Sequence, residues 1–244
     1  HESVWGMVSR HLSDDRLRRA FSIQPLLVGG NPYETTSIYG MISHLERAHG
    51  VWFPMGGTGA LVDALAGLMA RAGIEIRLGE TVERIRLENG RACGVAMESG
   101  ALIDADIVVS NADPAHLYQH MLPRAASSRL ARLRTRHAER SMGLYVLYFG
   151  ARQQWPGVAH HTVWFGKRHR ALLDDIFNRK ILAEDFSLYI HRPTATDPSF
   201  APPGCDSFYV LCPVPNLQGG VDWSVEGPRL RDRIVAALDR TLLP

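Results

Sequence analysis

His116 and His120 stand four residues apart, a spacing that puts two imidazoles on one face of a helix where they can share a metal ion. The glutamate of an H-E-x-x-H motif is missing and no third ligand is evident, so no metal is expected there. His160 and His161 are adjacent; on a strand they point to opposite faces and cannot hold one ion, though either can line a pocket. Ser110 follows an apolar run, but VVSNAD is not the G-x-S-x-G elbow, and no serine comes with a base at readable spacing, so hydrolysis is not supported. Asp174-Asp175 and Glu184-Asp185 are sequence neighbours, which face apart on a helix and read as surface charge rather than a catalytic dyad. Cys93, Cys205 and Cys212 are odd in number and lack C-x-x-C spacing, which argues against a disulfide framework and a zinc site and fits a reducing compartment.

Residues 51–80, VWFPMGGTGALVDALAGLMARAGIEIRLGE, read as an apolar strand, a glycine cluster, a helix and a second strand. Leu61, Ala64, Leu65, Leu68, Met69 and Ala72 recur at spacings of three and four and so form one apolar stripe, with Thr58 as N-cap and Gly73 as the stop. The phosphate motif itself fails, because Gly57-Thr58-Gly59-Ala60-Leu61-Val62 has valine at the third glycine of G-x-G-x-x-G, and no Walker lysine follows. The cluster reads either as a tight strand-to-helix turn or as an anion site at a helix start.

Around these residues the chain is ordinary globular material: 244 residues, 45% hydrophobic and 21% charged, enough to bury a core. Its 27 basic and 25 acidic side chains leave a net charge of +2, so no global field draws it to nucleic acid. No apolar run approaches the roughly 18 residues that span a bilayer. The start HESVWG and the stop TLLP, each against a helical pattern, lead to the expectation of a piece of a longer protein.

Composition shifts divide the chain into residues 1–50, a helical layer; 51–114, an α/β block; and 115–244, helices and a sheet. In the block, TVERIRLE and RACGVAM meet at Asn89-Gly90, which favours a type I′ hairpin, and ADIVVSNADP reads as a short buried strand leading to a turn. Residues 115–140 read as helix and carry Arg124, Arg129, Arg132, Arg134, Arg136 and Arg140, of which Arg129, Arg132, Arg136 and Arg140 share one face; it reads as a solvated face or as a contact for anionic lipid headgroups. MGLYVLYFG, HTVWFG, FSLYIH and SFYVLCPV are β-branched and aromatic and are expected to form one sheet. In the first of them Leu144, Val146 and Tyr148 face one way and Tyr145, Leu147 and Phe149 the other, so both faces need covering by protein or ligand. The fold class expected is α/β, α+β overall, with two domains between which the chain crosses and a ligand at their junction.

Particular strings carry the reading further. LLVGGNPYETTSIYGMISHLERAHGVWFPMGGTGALVDAL, SNADP, LYVLYFG, AHHTVWFG, LAEDFSLYIHRPTATDPSFAPPGCDSFYVLCPVPNL and DWSVEGPRLRDRI closely resemble the bacterial carotenoid desaturases, the phytoene desaturase (dehydrogenase) group of the flavin-dependent amine oxidoreductase superfamily. The likeness covers nearly the whole chain. It implies a Rossmann-like FAD-binding domain and a substrate domain of sheet and helices, with the dinucleotide loop and the C-terminal flavin segment outside these 244 residues. The glycine cluster then resembles the superfamily's central segment that re-enters the FAD domain. By motif position Gly56, Gly57 and Thr58 would lie near the flavin, Val82 by the adenine, and Asn111 and Ala112 on a turn returning to the cofactor.

The implied chemistry is removal of two hydrogens from phytoene, a hydride to flavin and a proton to a base that the resemblance does not locate on this chain. A substrate without polar handles needs an apolar channel, for which Tyr148, Phe149, Trp164 and Tyr189 are the expected lining. A substrate dissolved in lipid favours the membrane reading of the arginine face, with the enzyme cytoplasmic and peripheral to the inner face of the cell membrane. The competing readings are another FAD oxidoreductase of the superfamily (a carotenoid isomerase, a shorter-chain desaturase or a retinol saturase) and a non-catalytic module for an apolar ligand or a membrane.

Overall fold

The computed structural model describes residues 2–244 apart from 124, 125 and 127, so Arg124 lies outside the described residues. Its helices are α1 Val4–His11, α2 Asp15–Ser22, α3 Gln24–Leu27, α4 Met41–His49, α5 Gly57–Arg71, α6 Pro114–His116, α7 Arg129–Arg136, α8 His169–Asp174 and α9 Trp223–Asp239. Its strands are β1 Val82–Glu88, β2 Arg91–Met97, β3 Leu102–Asp104, β4 Gly143–Ala151, β5 His161–Trp164, β6 Leu188–His191 and β7 Asp206–Val214. The class is mixed helix and sheet. Two compact units result, one of residues 1–64 with 141–244 and one of residues 65–140.

In the first unit the four aromatic-rich strands form one antiparallel sheet in the order β4-β7-β6-β5. β4 and β7 pair without a slip from Gly143↔Val214 to Ala151↔Asp206, so side chains of equal parity share a face. One face carries Tyr145, Leu147 and Phe149 with Phe208, Val210, Cys212, Leu188 and Ile190, and it is the core. α9 covers it: Asp222 caps the helix by accepting from the Ser224 N–H, and Leu230, Ile234, Ala237 and Leu238 recur every three or four residues and are buried against the sheet. Tyr145 Oη donates to the Gly227 carbonyl at 2.9 Å and ties the first turns of α9 to β4. At the sheet's end Asp206 is buried and accepts from Arg192 Nη1 at 3.1 Å, Thr194 Oγ1 at 2.5 Å and the Trp155 N–H at 2.7 Å. Burial opposes ionisation of this carboxyl, but the three bonds and the guanidinium charge outweigh it and hold it below its ordinary value.

The second unit holds the antiparallel sheet β1-β2-β3. Asn89 and Gly90 both have positive φ, 49° and 79°, as the type I′ turn demands. Gly94 is required for a different reason: a Cβ there would lie 2.1 Å from the Ile103 carbonyl oxygen on β3.

Three expected strands do not form. Residues 51–55, 74–78 and 107–110 have no ladder among the described residues, and Ile107 and Val109 are 80% and 91% exposed rather than buried. An apolar, β-branched run is no strand until its N–H and C=O groups find a partner strand. The helix between the first two does form, though it starts at Gly57, so Thr58 is a helical residue and not the cap. It ends as expected: Gly73 has φ 74°, and the Ile74 N–H reaches back to the Met69 carbonyl in a Schellman closure.

The arginine helix ends sooner than its spacing suggests. α7 stops at Arg136, with the His137 N–H closing on the Leu133 carbonyl, so Arg129, Arg132 and Arg136 share the helix and Arg140 lies beyond it. Among the described residues no helix is long and apolar enough to cross a membrane.

Candidate functional site

The sheet face opposite the core is built by the other parity of the same strands. It presents Leu144, Val146 and Tyr148 from β4, Tyr209 and Leu211 from β7, Tyr189 and His191 from β6, and His161 and Val163 from β5. This face is apolar and aromatic yet open: Tyr148 is 75% exposed and Leu144 48%. Tyr209 sits at its centre, with ring centroids 5.8 Å from Tyr148, 6.0 Å from Tyr189 and 4.4 Å from His191. Of the four aromatic residues expected to line a substrate channel, the structure brings Tyr148 and Tyr189 to this face. Phe149 and Trp164 have the opposite parity and pack inward, Phe149 stacked on Phe208 at 5.3 Å and Trp164 against Phe186 at 5.8 Å.

At one end of the open face three histidines converge. His161 and His191 are direct cross-strand partners, and His160, which precedes β5 and so escapes strand alternation, turns its ring to 4.4 Å from His161 and 4.6 Å from His191. The adjacent pair therefore does not point to opposite faces, which corrects the expectation from alternation. Burial first, then the neighbouring His160 and His161, pulls His191 down to about 4. Burial, His161 and Arg192 lower His160, and the partial desolvation of the His161 ring against its aromatic neighbours lowers His161 although the residue keeps an exposed edge, so all three rings are biased towards the neutral form. Burial, with Tyr209 beside it, pushes the Tyr189 phenol above its ordinary value and keeps it a donor.

Phe53 links this cluster to the glycine turn. Its ring lies 4.6 Å from His160 and 5.9 Å from Phe200. Gly56 and Gly57 have φ of 81° and 76°, conformations that favour glycine, and a Cβ on Gly57 would meet the Phe200 ring at 2.7 Å. The Gly56 N–H donates to Asp197 Oδ2 at 2.7 Å, while Ser199 donates to Oδ1 through its N–H and its hydroxyl. The Ser199 hydroxyl first, then the Gly56 N–H, hold this carboxyl below its ordinary value. The turn is thus pinned from one side. On the other, Gly59 has nothing within 4 Å of where a Cβ would be, Thr58 is exposed, and no acid occupies the first turn of α5. A helix start that is open on this side, with no acid of its own in the first turn, is compatible with the polar part of a flavin nucleotide.

Val82, Asn111 and Ala112 belong to the second unit. Val82 pairs with Met97 and is half-buried; Asn111 is exposed, and the Ala112 N–H donates to Ser110 Oγ at 3.3 Å. His116 and His120 do approach, with ring centroids 5.2 Å apart, but no third His, Cys, Asp or Glu joins them at ligand distance among the described residues.

Residues 5–204 match the flavin containing amine oxidoreductases, four-fifths of the chain. The chain belongs to that family. Its relatives within the flavin containing amine oxidoreductases include a phytoene desaturase (lycopene-forming) from Pseudescherichia vulneris, 48% identical over all of this chain and 50% of the relative. Another is a phytoene desaturase (neurosporene-forming) from Rhodobacter capsulatus, 42% identical over 99% of the chain and 47% of the relative. The chain spans about half the length of the curated relatives it matches. A solved oxidoreductase from Methanosarcina mazei, 21% identical, superposes with a TM-score of 0.67 over 98% of this chain and 51% of its own, a likeness of fold.

Sequence reasoning missed His191, Tyr209, Asp197 and Phe53. His191 was readable: it stands two residues after Tyr189 in FSLYIH and so shares its face by strand alternation. The contacts of Asp197 with Gly56 and of Phe53 with His160 carry no local signal, because each pair lies more than a hundred residues apart in the chain.

Proposed function

We propose that the protein containing this chain is an FAD-dependent desaturase that removes hydrogens from phytoene or a closely similar isoprenoid hydrocarbon in carotenoid biosynthesis. The observation that carries the reading is the sheet with two apolar faces, of which α9 covers one and the other stays open. An exposed aromatic surface of this kind suits a long hydrocarbon, which gains affinity from area removed from water and from nothing else. FAD, when bound, supplies the hydride acceptor. The chain's own residues have other tasks: Leu144, Val146, Tyr148, Tyr189 and Leu211 form the surface along which the polyene is laid, and the Phe53–Gly57 turn, pinned by Asp197, offers its backbone to the flavin. Gly56, Gly57 and Thr58, with Val82, Asn111 and Ala112, are the proposed cofactor contacts.

The same reading places the enzyme at a membrane, where its substrate dissolves, on the cytoplasmic side. Arg129 and Arg136 on α7 are exposed beside Leu130 and Leu133, a mixture that suits anionic headgroups.

The test is the visible spectrum of phytoene-loaded vesicles incubated with FAD and the longest reading frame that contains this chain. Structured polyene bands are expected. Bound flavin without coloured product would keep an FAD oxidoreductase and remove phytoene as its substrate; the absence of both bound flavin and coloured product would overturn the proposal.

A further inference from the structure

The histidine cluster at the end of the open face has a geometry that stacking alone does not explain. His161 Nδ1 and His191 Nδ1 face each other at 3.5 Å, and Tyr189 Oη lies 2.6 Å from the first and 3.4 Å from the second. Two ligands on a tetrahedral zinc ion, each bonded at about 2.0–2.1 Å, are separated by about 3.3–3.4 Å. The two edges that meet at His191 Nδ1, 3.5 and 3.4 Å, are close to that length, whereas the 2.6 Å edge between His161 Nδ1 and Tyr189 Oη is a hydrogen bond that an ion bound at His161 Nδ1 would open. His160 brings a third imidazole, with one ligand nitrogen from each of the three rings inside a 4.8 Å sphere of mutual separation.

The surroundings resemble a ligand set and not only a hydrogen-bonded box. His160 Nδ1 meets the Thr196 hydroxyl at 2.5 Å, while its Nε2 is buried and finds no partner. A ring held at one nitrogen by an oxygen, with the other left unclaimed, is the common arrangement of a metal-binding histidine. Arg192, next in the chain to His191, is engaged with Asp206 at 3.1 Å.

We propose that His160, His161 and His191, with Tyr189 Oη beside them, form a binding site for one divalent first-row cation of the zinc class. A cation there would clamp the start of β5 to the end of β6 and fix the rings against which Phe53 packs. The site rests on side-chain geometry alone and does not depend on the flavin reading.

The experiment uses the longest reading frame that contains this chain, purified without a histidine tag, stripped with a chelator and titrated with Zn²⁺ against a chromophoric competitor. Co²⁺ is the spectroscopic probe. One equivalent of zinc and the intense d–d bands of four-coordinate cobalt are expected. His161→Ala and His191→Ala should each weaken zinc binding by about tenfold or more, by analogy with losses on perturbing metal ligation. His161 is exposed, so its variant keeps the fold if His191→Ala does not, and thermal melts will report that. His120→Ala, which breaks the other histidine pair, should change nothing. Absence of stoichiometric zinc, weak six-coordinate cobalt, or loss in His120→Ala with none in His161→Ala would each overturn the site.

Discussion

The two faces of the β4–β7 sheet have nearly the same apolar composition and opposite fates. Leu230 and Ile234 of α9 are 1% and 0% exposed over one face, while Leu61, Leu65 and Leu68 of α5, an equally regular stripe, are 50%, 52% and 55% exposed, as is much of the sheet's other face. An apolar stripe thus predicts a helix and which side of it is apolar. It does not say whether anything lies against that side, and free energy is gained only where water is displaced.

The largest expected contrast is between Val210→Asp and Val146→Asp. The first buries an unpaired carboxylate in the core and should abolish folding; the second, on the open face, should leave the melt nearly unchanged and, under the function proposed above, lower kcat/KM of the whole protein for phytoene by about tenfold, roughly 1.4 kcal/mol. Equal melts for the two would end the distinction between the faces.

Asp206→Ala strands the Arg192 guanidinium, largely buried at the sheet's end, and should cost about 3–5 kcal/mol by denaturant unfolding. Because the folded carboxyl titrates below its ordinary value, its contribution is fully present above the unfolded value near 3.9 and is lost as pH falls through the folded one. The histidines add a loss at milder acidity. With His191 at about 4 against about 6.5 unfolded, the unfolded chain takes up protons first, so stability should fall from pH 6.5 downwards. His191→Gln should flatten that part of the profile.

Ile234→Ala should destabilise by about 2–5 kcal/mol, whereas Leu65→Ala in this 244-residue chain should stay within about 0.5 kcal/mol. A comparable loss for Leu65→Ala would mean that the α5 stripe is covered after all. The smallest effect is local. Asp197→Ala frees the Gly56 N–H and should lower the flavin-to-protein ratio of the purified enzyme with little change in its melt.

Much of the architecture was legible in single stretches. The Asn89-Gly90 turn, the α5 stripe with its Gly73 stop, and the four aromatic strands all follow from chemistry between near neighbours, where φ preferences and periodicity act. The unpaired runs at 51–55, 74–78 and 107–110 mark where that reasoning ends, since a strand is a property of two segments.

By itself, then, the sequence determined the helices, the hairpin, the parity of each strand and the family, because these depend on residue types at short, fixed spacings. Only the tertiary structure decided that Phe149 and Trp164 face the core while Tyr148 and Tyr189 face outward, that His160 turns to meet His161 and His191, and that Asp197 holds the glycine turn. Those outcomes depend on which distant segments meet, and the pairing of β7 with β4 and β6 and the cover of α9 settle them.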